Sequence, residues 1–547
     1  MKNYSKKFIC YMLVLTVIFS LAMSGCSNNE EATSQTEMVT VPAEGGVLNL
    51  AAYSPDTLNP LCTEYSCVRD YLYLMYEGLF IVNDDLTVRG VLAESYTAKD
   101  DNRVFHIKLK KGVKFHDGSA FTSQDVSDTF NYLSIYETQY KDVLSNIESY
   151  STNGDYEFII RLKSPQANFP VNLDFPILSS GLGMEDFMVP GTTYKLNGTG
   201  RYKYKKTNDY VNLILEKNPA WHSAEKVYIP QVCIRFVDDN DAIAYAFDSG
   251  ETDIVTTEQG RWGEFSYTVN HKEYEITTTK YMFVGINTQN SIFSDVEFRR
   301  SFASIVDKKN IIDTIMFSHA SIADTPISSR AYFYRNNGDE GKAEVKKFDA
   351  SKKLTTYILY NEESRLKEDI ALYIKNVLEN AGIKVETTKV NYETYLEKIA
   401  SGDYHLYIGE IDMNRDCNLR FMFDEAKTPQ LPPSDEVVVK IEDEEDIEQQ
   451  EPESGHGDIL ICNYSSLTLD DIIDNINGAG DTETAKVSYN NLRVLYRDEV
   501  PQIPLFHTNE AILVSTRIKG KVNANLTNFY ADLGEIYIKT KKVEKTK

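Results

Sequence analysis

Residues 91–126 read VLAESYTAKDDNRVFHIKLKKGVKFHDGSAFTSQDV, and this stretch decides the fold of the chain. Phe105, Ile107 and Leu109 alternate with polar side chains, and this period of two predicts a strand with one buried face. A turn follows, in which Gly118 supplies the positive φ that a tight reversal of the chain needs. The stretch therefore begins with a half-buried strand and a sharp turn.

A capped helix is predicted directly after that turn. Thr122 and Asp125 stand three residues apart, which is the spacing of a capping box at a helix N-terminus. Val126, Phe130 and Leu133 follow at the spacing of one helix face. A strand, a turn and a helix are thus predicted within one short window.

The same window resembles the signature of extracellular solute-binding proteins of the dipeptide/oligopeptide/nickel group (family 5), the receptor subunits of ABC importers. The resemblance rests on Leu92-Ala93-Glu94-Ser95, on the run KGVKFHDG from Lys111 to Gly118, and on Asp125-Val126. It implies an α/β, two-lobed periplasmic-binding-protein-like fold (type II), with an extra satellite domain and a hinged cleft between the lobes. It extends over nearly all of residues 45–540.

The resemblance also implies a division of the chain into discontinuous parts. These are a lipoprotein signal peptide (1–25), a polar tether (26–44), lobe I (45–80, 191–278 and 503–547), the satellite domain (81–190) and lobe II (279–502), with an acidic insertion at 425–457.

Several elements are predicted inside these parts. Tyr71 to Phe80 is interpreted as a helix, and apolar residues at helical spacing over 366–378 predict another that stops at Gly382. Because that helix leads directly into a strand, lobe II is expected to have a mainly parallel sheet. The resemblance implies hinge strands near residues 276–286 and 496–506.

Composition limits the class of protein. At 547 residues the chain exceeds what one hydrophobic core usually serves, so two or three domains are expected. Its 57 basic and 82 acidic residues give a formal net charge of −25. Such a surface repels phosphate backbones, so the chain is not expected to bind nucleic acid.

The N-terminus has the layout of a secretory signal. A basic segment, Met1–Lys7, precedes an apolar run, Phe8–Met23, that ends in Ser-Gly-Cys. Small residues before Cys26 resemble a lipobox, which implies lipidation (palmitate) of Cys26. The lipid would anchor the chain on the extracellular face of the bacterial cytoplasmic membrane. In a Gram-negative source this location is the periplasm. The alternative is a single transmembrane anchor, for which the run is short.

Two further stretches contain residues that could form a disulfide or bind a metal. Cys62 and Cys67 are close enough in sequence to pair in an oxidising exterior, although such spacing also arises by chance. Asp435 to Glu453 holds ten acidic residues and one lysine, and is interpreted as a disordered, solvated insertion. Calcium binding is the alternative, but the spacing is not that of an EF-hand. No metal site and no cofactor are predicted.

The resemblance implies a carboxylate on lobe II that holds the α-ammonium group of a peptide. The corresponding segment is Tyr404–Phe421, in which Glu410 replaces the tryptophan and Cys417 the proline of the family pattern. Asp412 and Asp416 are both candidates for the carboxylate, and the sequence does not decide between them. The alternative for each is a solvated aspartate at a strand end.

Other candidate ligand-binding residues surround this segment. Glu410, Arg415 and Arg420 crowd the same region, where an arginine would pair with a ligand carboxylate or only neutralise the acids. Tyr53, Tyr65 and Asn287 are expected where the first-lobe and crossover strands meet the cleft.

Catalysis is not predicted. His116 and Asp117 are adjacent in a turn and point apart, and the glycines of Asn197–Arg201 lack the Gly-Lys-Ser/Thr ending of a phosphate loop, so both are interpreted as structural. The expected function is a monomeric substrate-binding lipoprotein that captures di- to oligopeptides and delivers them to an ABC permease. The alternatives are a nickel chelate, a sugar or a signalling peptide as ligand, an adhesion or sensory lipoprotein and, less favoured, a secreted hydrolase.

Overall fold

The computed structural model describes residues 38–181, 196–208, 211–257, 270–290, 292–334, 355–423, 467–523 and 529–544. The predicted signal peptide, Cys26 and the acidic insertion 425–457 lie outside these residues. The chain divides into two compact units, a small one of Met1–Ala43 with Thr540–Lys547 and a main one of Glu44–Lys539. The small unit contains a two-stranded sheet of β1 (Met38–Ala43) and β21 (Lys539–Glu544).

The main unit contains both α-helices and β-strands. Its strands are β2 (Val47–Tyr53), β3 (Phe80–Val82), β4 (Val88–Gly90), β5 (Ala93–Lys99), β6 (Val104–Leu109), β7 (Ile147–Thr152), β8 (Glu157–Leu162), β9 (Tyr202–Asn208), β10 (Asn212–Lys217), β11 (Gln231–Val237), β12 (Ile254–Thr257), β13 (His271–Ile286), β14 (Ala320–Ile322), β15 (Thr355–Asn361), β16 (Lys384–Val390), β17 (Leu406–Asp412), β18 (Gln502–Ser515), β19 (Lys519–Gly520) and β20 (Ile536–Tyr537). Its helices are α1 (Ser66–Leu72), α2 (Ser123–Ile135), α3 (Asn240–Asp248), α4 (Val296–Ile305), α5 (Lys308–Thr314), α6 (Arg365–Asn380), α7 (Tyr392–Ser401), α8 (Arg420–Phe423), α9 (Leu467–Asn477) and α10 (Thr482–Glu499).

Lobe I is built on a four-stranded sheet in the order β2-β11-β10-β9. β2 runs parallel to β11, and the other two pairings are antiparallel. Leu48, Leu50 and Ala52 of β2 point into the core on alternate positions. The helix predicted over Tyr71–Phe80 was wrong, because α1 occupies residues 66–72 and the chain then turns away.

The structure of the satellite domain confirms the strand, turn and helix predicted within residues 91–126. Its antiparallel sheet has the order β5-β6-β8-β7, and Phe105, Ile107 and Leu109 of β6 are buried. α2 begins at the predicted capping box, in which Thr122 and Asp125 satisfy each other's backbone N–H groups.

His116 of the satellite domain forms hydrogen bonds with the glycine turn of residues 197–200 in lobe I. Its Nδ1 accepts the N–H of Gly198 at 3.3 Å, and its Nε2 lies 3.2 Å from the carbonyl oxygen of Gly200. A Cβ at residue 198 would lie 2.0 Å from the carbonyl oxygen of Met75, so only glycine fits there. The glycine turn is therefore structural, as expected.

A seven-stranded sheet in the order β12-β18-β13-β17-β15-β16, with β14 also paired to β18, runs from lobe I into lobe II. The expectation of a mainly parallel sheet was wrong. β15 runs parallel to β16 and β17, whereas β13 is antiparallel to both β17 and β18. Parallel pairs form where a helix connects two strands, and β13 and β18 enter from lobe I without such a crossover.

We call the paired strands β13 and β18 the hinge, after the hinge strands that the resemblance implies. Their pairing extends from His271 to Gly285, and the register shifts between Thr277 and Tyr281 and between Met282 and Phe283. At the first break the Thr278 hydroxyl lies 2.7 Å from that of Thr508, and both residues are buried. The hinge strand expected near 276–286 corresponds to β13, whereas residues 496–499 of the other expected strand belong to α10.

The His116 contact predicts a pH dependence of stability. Burial lowers the pKa of His116 to about 4, against about 6.5 for an exposed imidazole. Between these two values the unfolded chain binds a proton that the native chain does not, so stability falls as the pH falls from 6.5 to 4. We expect the contribution of His116 to fall by about 3 kcal/mol across that range.

Urea unfolding at pH 7, 6, 5 and 4, with His116→Gln as the non-titrating control, measures this contribution. The difference in unfolding free energy between the wild type and the variant should shrink with falling pH. A difference that stays constant from pH 7 to pH 4 would contradict the prediction.

Candidate functional site

A seam between lobe II and the satellite domain brings together several of the predicted ligand-binding residues. We define the interlobe seam as residues 412–418 of lobe II together with residues 166–174 of the satellite domain. β17 ends at Asp412 beside the hinge, and the Met413 N–H donates to the carbonyl oxygen of Thr279 at 3.0 Å. The loop after β17 then crosses onto the satellite domain.

Asp416 lies at the centre of this seam. Its side chain accepts hydrogen bonds from the amides of Gln166 and Asn172, the latter at 3.0 Å, and from the Asn418 N–H at 2.9 Å. Asp416 is only 9% exposed. All three donors are neutral, so the carboxylate is buried without a cation among these partners. A buried carboxylate in such surroundings favours the approach of a cationic group.

Arg415, the preceding residue, has a different partner. Its guanidinium donates to both carboxylate oxygens of Asp174, with a distance of 3.4 Å from Nη2 to Oδ1. Burial disfavours the charged guanidinium, but the Asp174 carboxylate outweighs this effect and the pKa of Arg415 is raised. The Tyr73 hydroxyl donates to the main-chain oxygen of Asp174 at 3.3 Å. Burial, together with nearby Tyr140 and Asp174, raises the pKa of Tyr73 well above its usual range.

Apolar contacts extend the seam. Val82, Leu86 and Val171 of the satellite domain belong to the same buried cluster as Tyr281 and Tyr407 of lobe II.

Main-chain groups also cross between the two parts. The Ala167 N–H donates to the Asn477 carbonyl at 2.7 Å, and the Asn102 amide donates to the Ala479 carbonyl at 3.1 Å. The two parts therefore share both packing and hydrogen bonds.

Two of the predicted residues lie at the hinge. Glu410 and Asp412 are half-buried on β17, opposite Met282 and Lys280 of β13. The Asp412 carboxylate accepts the Thr279 hydroxyl at 2.6 Å. Asp412 is thus engaged next to the register break of the hinge, whereas Asp416 faces the satellite domain.

Other predicted residues are placed elsewhere. Arg420 forms ion pairs with Asp470 and Asp474 of α9, inside lobe II. The Asn287 amide donates to the carbonyl oxygens of Gly402 and Tyr404, both at 3.0 Å, at the end of β13 away from the hinge. The structure therefore does not bring these two side chains to Asp416.

Tyr53 and Tyr65 lie together in lobe I. Their rings meet edge to face with centroids 5.5 Å apart, and the Tyr53 N–H donates to the Cys67 sulfur at 3.5 Å. Neither Cys62 nor Cys67 is in a disulfide. The pairing that the sequence left open is therefore not formed.

Sequence reasoning missed the satellite side of the seam. Its polar residues are Gln166, Asn168, Asn172 and Asp174, which are interspersed in the run QANFPVNLD. Phe169, Val171 and Leu173 in that run are buried. Polar residues embedded in an apolar segment were the available signal, because buried amides and carboxylates need partners from elsewhere in the fold.

Comparison with known proteins decides the family. The model of bacterial extracellular solute-binding proteins, family 5 (middle region), matches residues 87–418. The chain belongs to this family. This family 5 protein is 23% identical to the oligopeptide-binding protein AppA of Bacillus subtilis over 430 residues, which cover 72% of this chain and 78% of AppA.

Solved structures confirm the predicted two-lobed α/β fold. The structure of Bacillus subtilis AppA in complex with a nonapeptide aligns with a TM-score of 0.60 and 19% identity, over 91% of this chain and all of AppA. NikZ of Campylobacter jejuni in complex with Ni(L-His) aligns with a TM-score of 0.61 and 17% identity, over 90% and 99% of the two chains. Within the described residues of this family 5 protein, no helix is long and apolar enough to span a membrane.

Cys417, which the resemblance aligns with a proline, has a conformation that proline cannot adopt. Its φ is +63°. The Cys417 N–H donates to the Asn414 carbonyl at 2.9 Å, a bond that proline cannot make. The loop of the seam therefore follows a path that excludes proline at this position.

We expect Cys417→Pro to lower the free energy of unfolding by more than about 1 kcal/mol, because it loses a hydrogen bond and forces a new φ. Cys417→Ala is the matched control, since it removes the thiol and keeps the N–H. Urea midpoints of the two variants provide the measurement. Equal stability of the proline and alanine variants would show that the loop does not depend on this conformation.

Proposed function

We propose that this protein is the substrate-binding lipoprotein of an ABC importer, and that it captures peptides between its lobes for delivery to the permease. The observation that carries the proposal is Asp416, a buried carboxylate in the interlobe seam whose hydrogen-bond donors are neutral. The names of the relatives support it, since AppA is an oligopeptide-binding protein and was solved with a nonapeptide.

Asp416, rather than Asp412, is the proposed acceptor of the ligand's α-ammonium group. The Gln166 and Asn172 amides both donate to Oδ2 of Asp416, and an ammonium group would replace these neutral donors with a cationic one. Asp412 is engaged by Thr279 at the hinge, so its role in the proposal is to hold β17 to β13. An extended peptide would satisfy its main chain by pairing with protein main chain, so that side-chain identity matters little.

The proposal includes a place for the protein in the cell. Cys26 would carry the lipid that anchors the chain at the extracellular face of the cytoplasmic membrane, and residues 27–44 would serve as the tether. The hinge of β13 and β18 would allow the lobes to close on the ligand, and the permease would recognise the closed form. A monomer suffices for this role.

Native mass spectrometry of residues 27–547, purified without refolding, tests the ligand class. We expect a ladder of co-purified peptide masses, because an enclosed peptide dissociates slowly. The same sample after denaturation is the control, in which these adducts must be lost. One small mass shared by all molecules, or a metal adduct, would contradict peptide capture and favour the solute or nickel-chelate alternative.

Asp416→Asn tests the ammonium contact. Removing the charge should weaken the binding of free-amine peptides about 10- to 100-fold, since a hydrogen bond to a charged group contributes about 1.5–3 kcal/mol. Binding of the same peptides after N-acetylation should not change between the wild type and the variant. Isothermal titration calorimetry measures both affinities.

Asp412→Asn is the matched control for this experiment, because it makes the same substitution four residues earlier, at the end of β17 beside the hinge. It should leave the preference for free-amine peptides intact. The assignment of Asp416 is wrong if its variant loses free-amine and acetylated peptides equally, or if Asp412→Asn alone abolishes the preference.

A further inference from the structure

Arg415 projects from lobe II into a socket that the other parts of the main unit form. We define the socket as Tyr73, which follows α1 in lobe I, with Tyr140 and Asp174 of the satellite domain. The guanidinium donates to both oxygens of Asp174, and the Tyr73 hydroxyl lies 3.3 Å from the Tyr140 hydroxyl and 3.3 Å from the Asp174 main-chain oxygen. Lobe I, the satellite domain and lobe II thus meet at one ion pair.

The position of Arg415 relative to the hinge makes this contact depend on the angle between the lobes. Arg415 stands three residues after the end of β17, and β17 is paired to β13 directly beside the register break. Asp174 belongs to the other side of the seam. A rotation of lobe II about the break at Thr278 therefore carries the guanidinium away from the carboxylate. The pair forms only when the lobes are together.

Burial makes the pair strong enough to influence that rotation. The side chains of Asp174 and Arg415 are 9% and 28% exposed. A second ion pair between lobe II and the satellite domain, outside the seam, joins Arg330 to Asp84. The Asp84 side chain is 69% exposed, so solvent screens this pair. Of these two pairs, the one in the socket is shielded.

Removing one charge of the Arg415–Asp174 pair destabilises the closed arrangement of the lobes and has little effect on the open one. With lobes together, removing either charge leaves the other buried and uncompensated, which is strongly unfavourable. With lobes apart, water solvates the remaining charge and the loss has little effect. A single substitution at either position therefore shifts the equilibrium toward the open arrangement.

We propose that Arg415 and Asp174 form an interlobe latch that sets how much of the protein is closed before any ligand arrives. Arg415 is then a positioning residue, and the role of pairing with a ligand carboxylate, which the sequence suggested for it, is replaced. The latch goes beyond the proposed function, because it concerns the lobes themselves and holds for any class of ligand.

The test measures interlobe distance in the full-length chain in detergent, without added peptide. Fluorophores are attached through an unnatural amino acid at Ile135 of the satellite domain and Val487 of lobe II, which are 70% and 63% exposed. Single-molecule energy transfer then reports the ratio of open to closed molecules. Asp174→Asn and Arg415→Gln should each raise this ratio by about tenfold or more.

Three comparisons make the result decisive. Arg420→Gln removes an arginine whose ion pairs with Asp470 and Asp474 lie inside lobe II, so it should leave the ratio unchanged. The double variant Asp174→Asn/Arg415→Gln should open the lobes less than the sum of the two single effects, because no charge is left unpaired. Arg415→Lys, which keeps the charge, should retain part of the closed population.

The latch is overturned if neither single variant changes the open-to-closed ratio, or if Arg420→Gln changes it equally. It is also overturned if the two single effects simply add. A circular-dichroism melt of each variant checks that the native fold is retained, and Arg415→Lys supplies a second measurement if Arg415→Gln does not fold. Because the readout needs no peptide, failure of the latch and failure of peptide capture are separate results.

Discussion

The antiparallel pairing of β13 with β18 is the constraint on which the rest of the main unit depends. These strands join β12 on one side and β17 on the other, so one sheet continues from lobe I into lobe II. The register shifts between Thr277 and Tyr281, and again between Met282 and Phe283, interrupt this continuity within one short stretch. A β-ladder with regular pairing on both sides of a register shift bends at the shift, because the inter-strand hydrogen bonds are fewest there.

The two neighbouring charged residues of the seam, Arg415 and Asp416, have different partners. Asp416 is buried with neutral donors, whereas the neighbouring Arg415 is paired with Asp174. One carboxylate thus remains suited to a cationic ligand, while the adjacent guanidinium is already neutralised within the protein. Adjacent residues of one loop have different partners on the satellite domain, and we propose different roles for them on that ground. The proposed ammonium contact and the proposed latch are therefore neighbours in the main chain.

Local elements could be predicted where the physical cause is itself local. The capping box at Thr122 and Asp125 and the alternation in β6 depend on residues within a few positions of each other, and both were confirmed. The helix expected over residues 71–80 was wrong. Tyr76 of that stretch belongs to the buried cluster that joins lobe I to the satellite domain, and the Tyr73 hydroxyl donates to the main-chain oxygen of Asp174. Tertiary packing overrides local propensity at such places.

The sequence by itself determined the family, the two-lobed α/β class and the loop after β17 as the place of the candidate site. It left Asp412 and Asp416 undecided, since both are aspartates near the end of one strand. Only the tertiary structure separated them, by placing Thr279 beside the first and the satellite amides beside the second. The physical reason is distance along the chain. Asn172 lies 244 residues from Asp416, and no local pattern encodes a contact of that range.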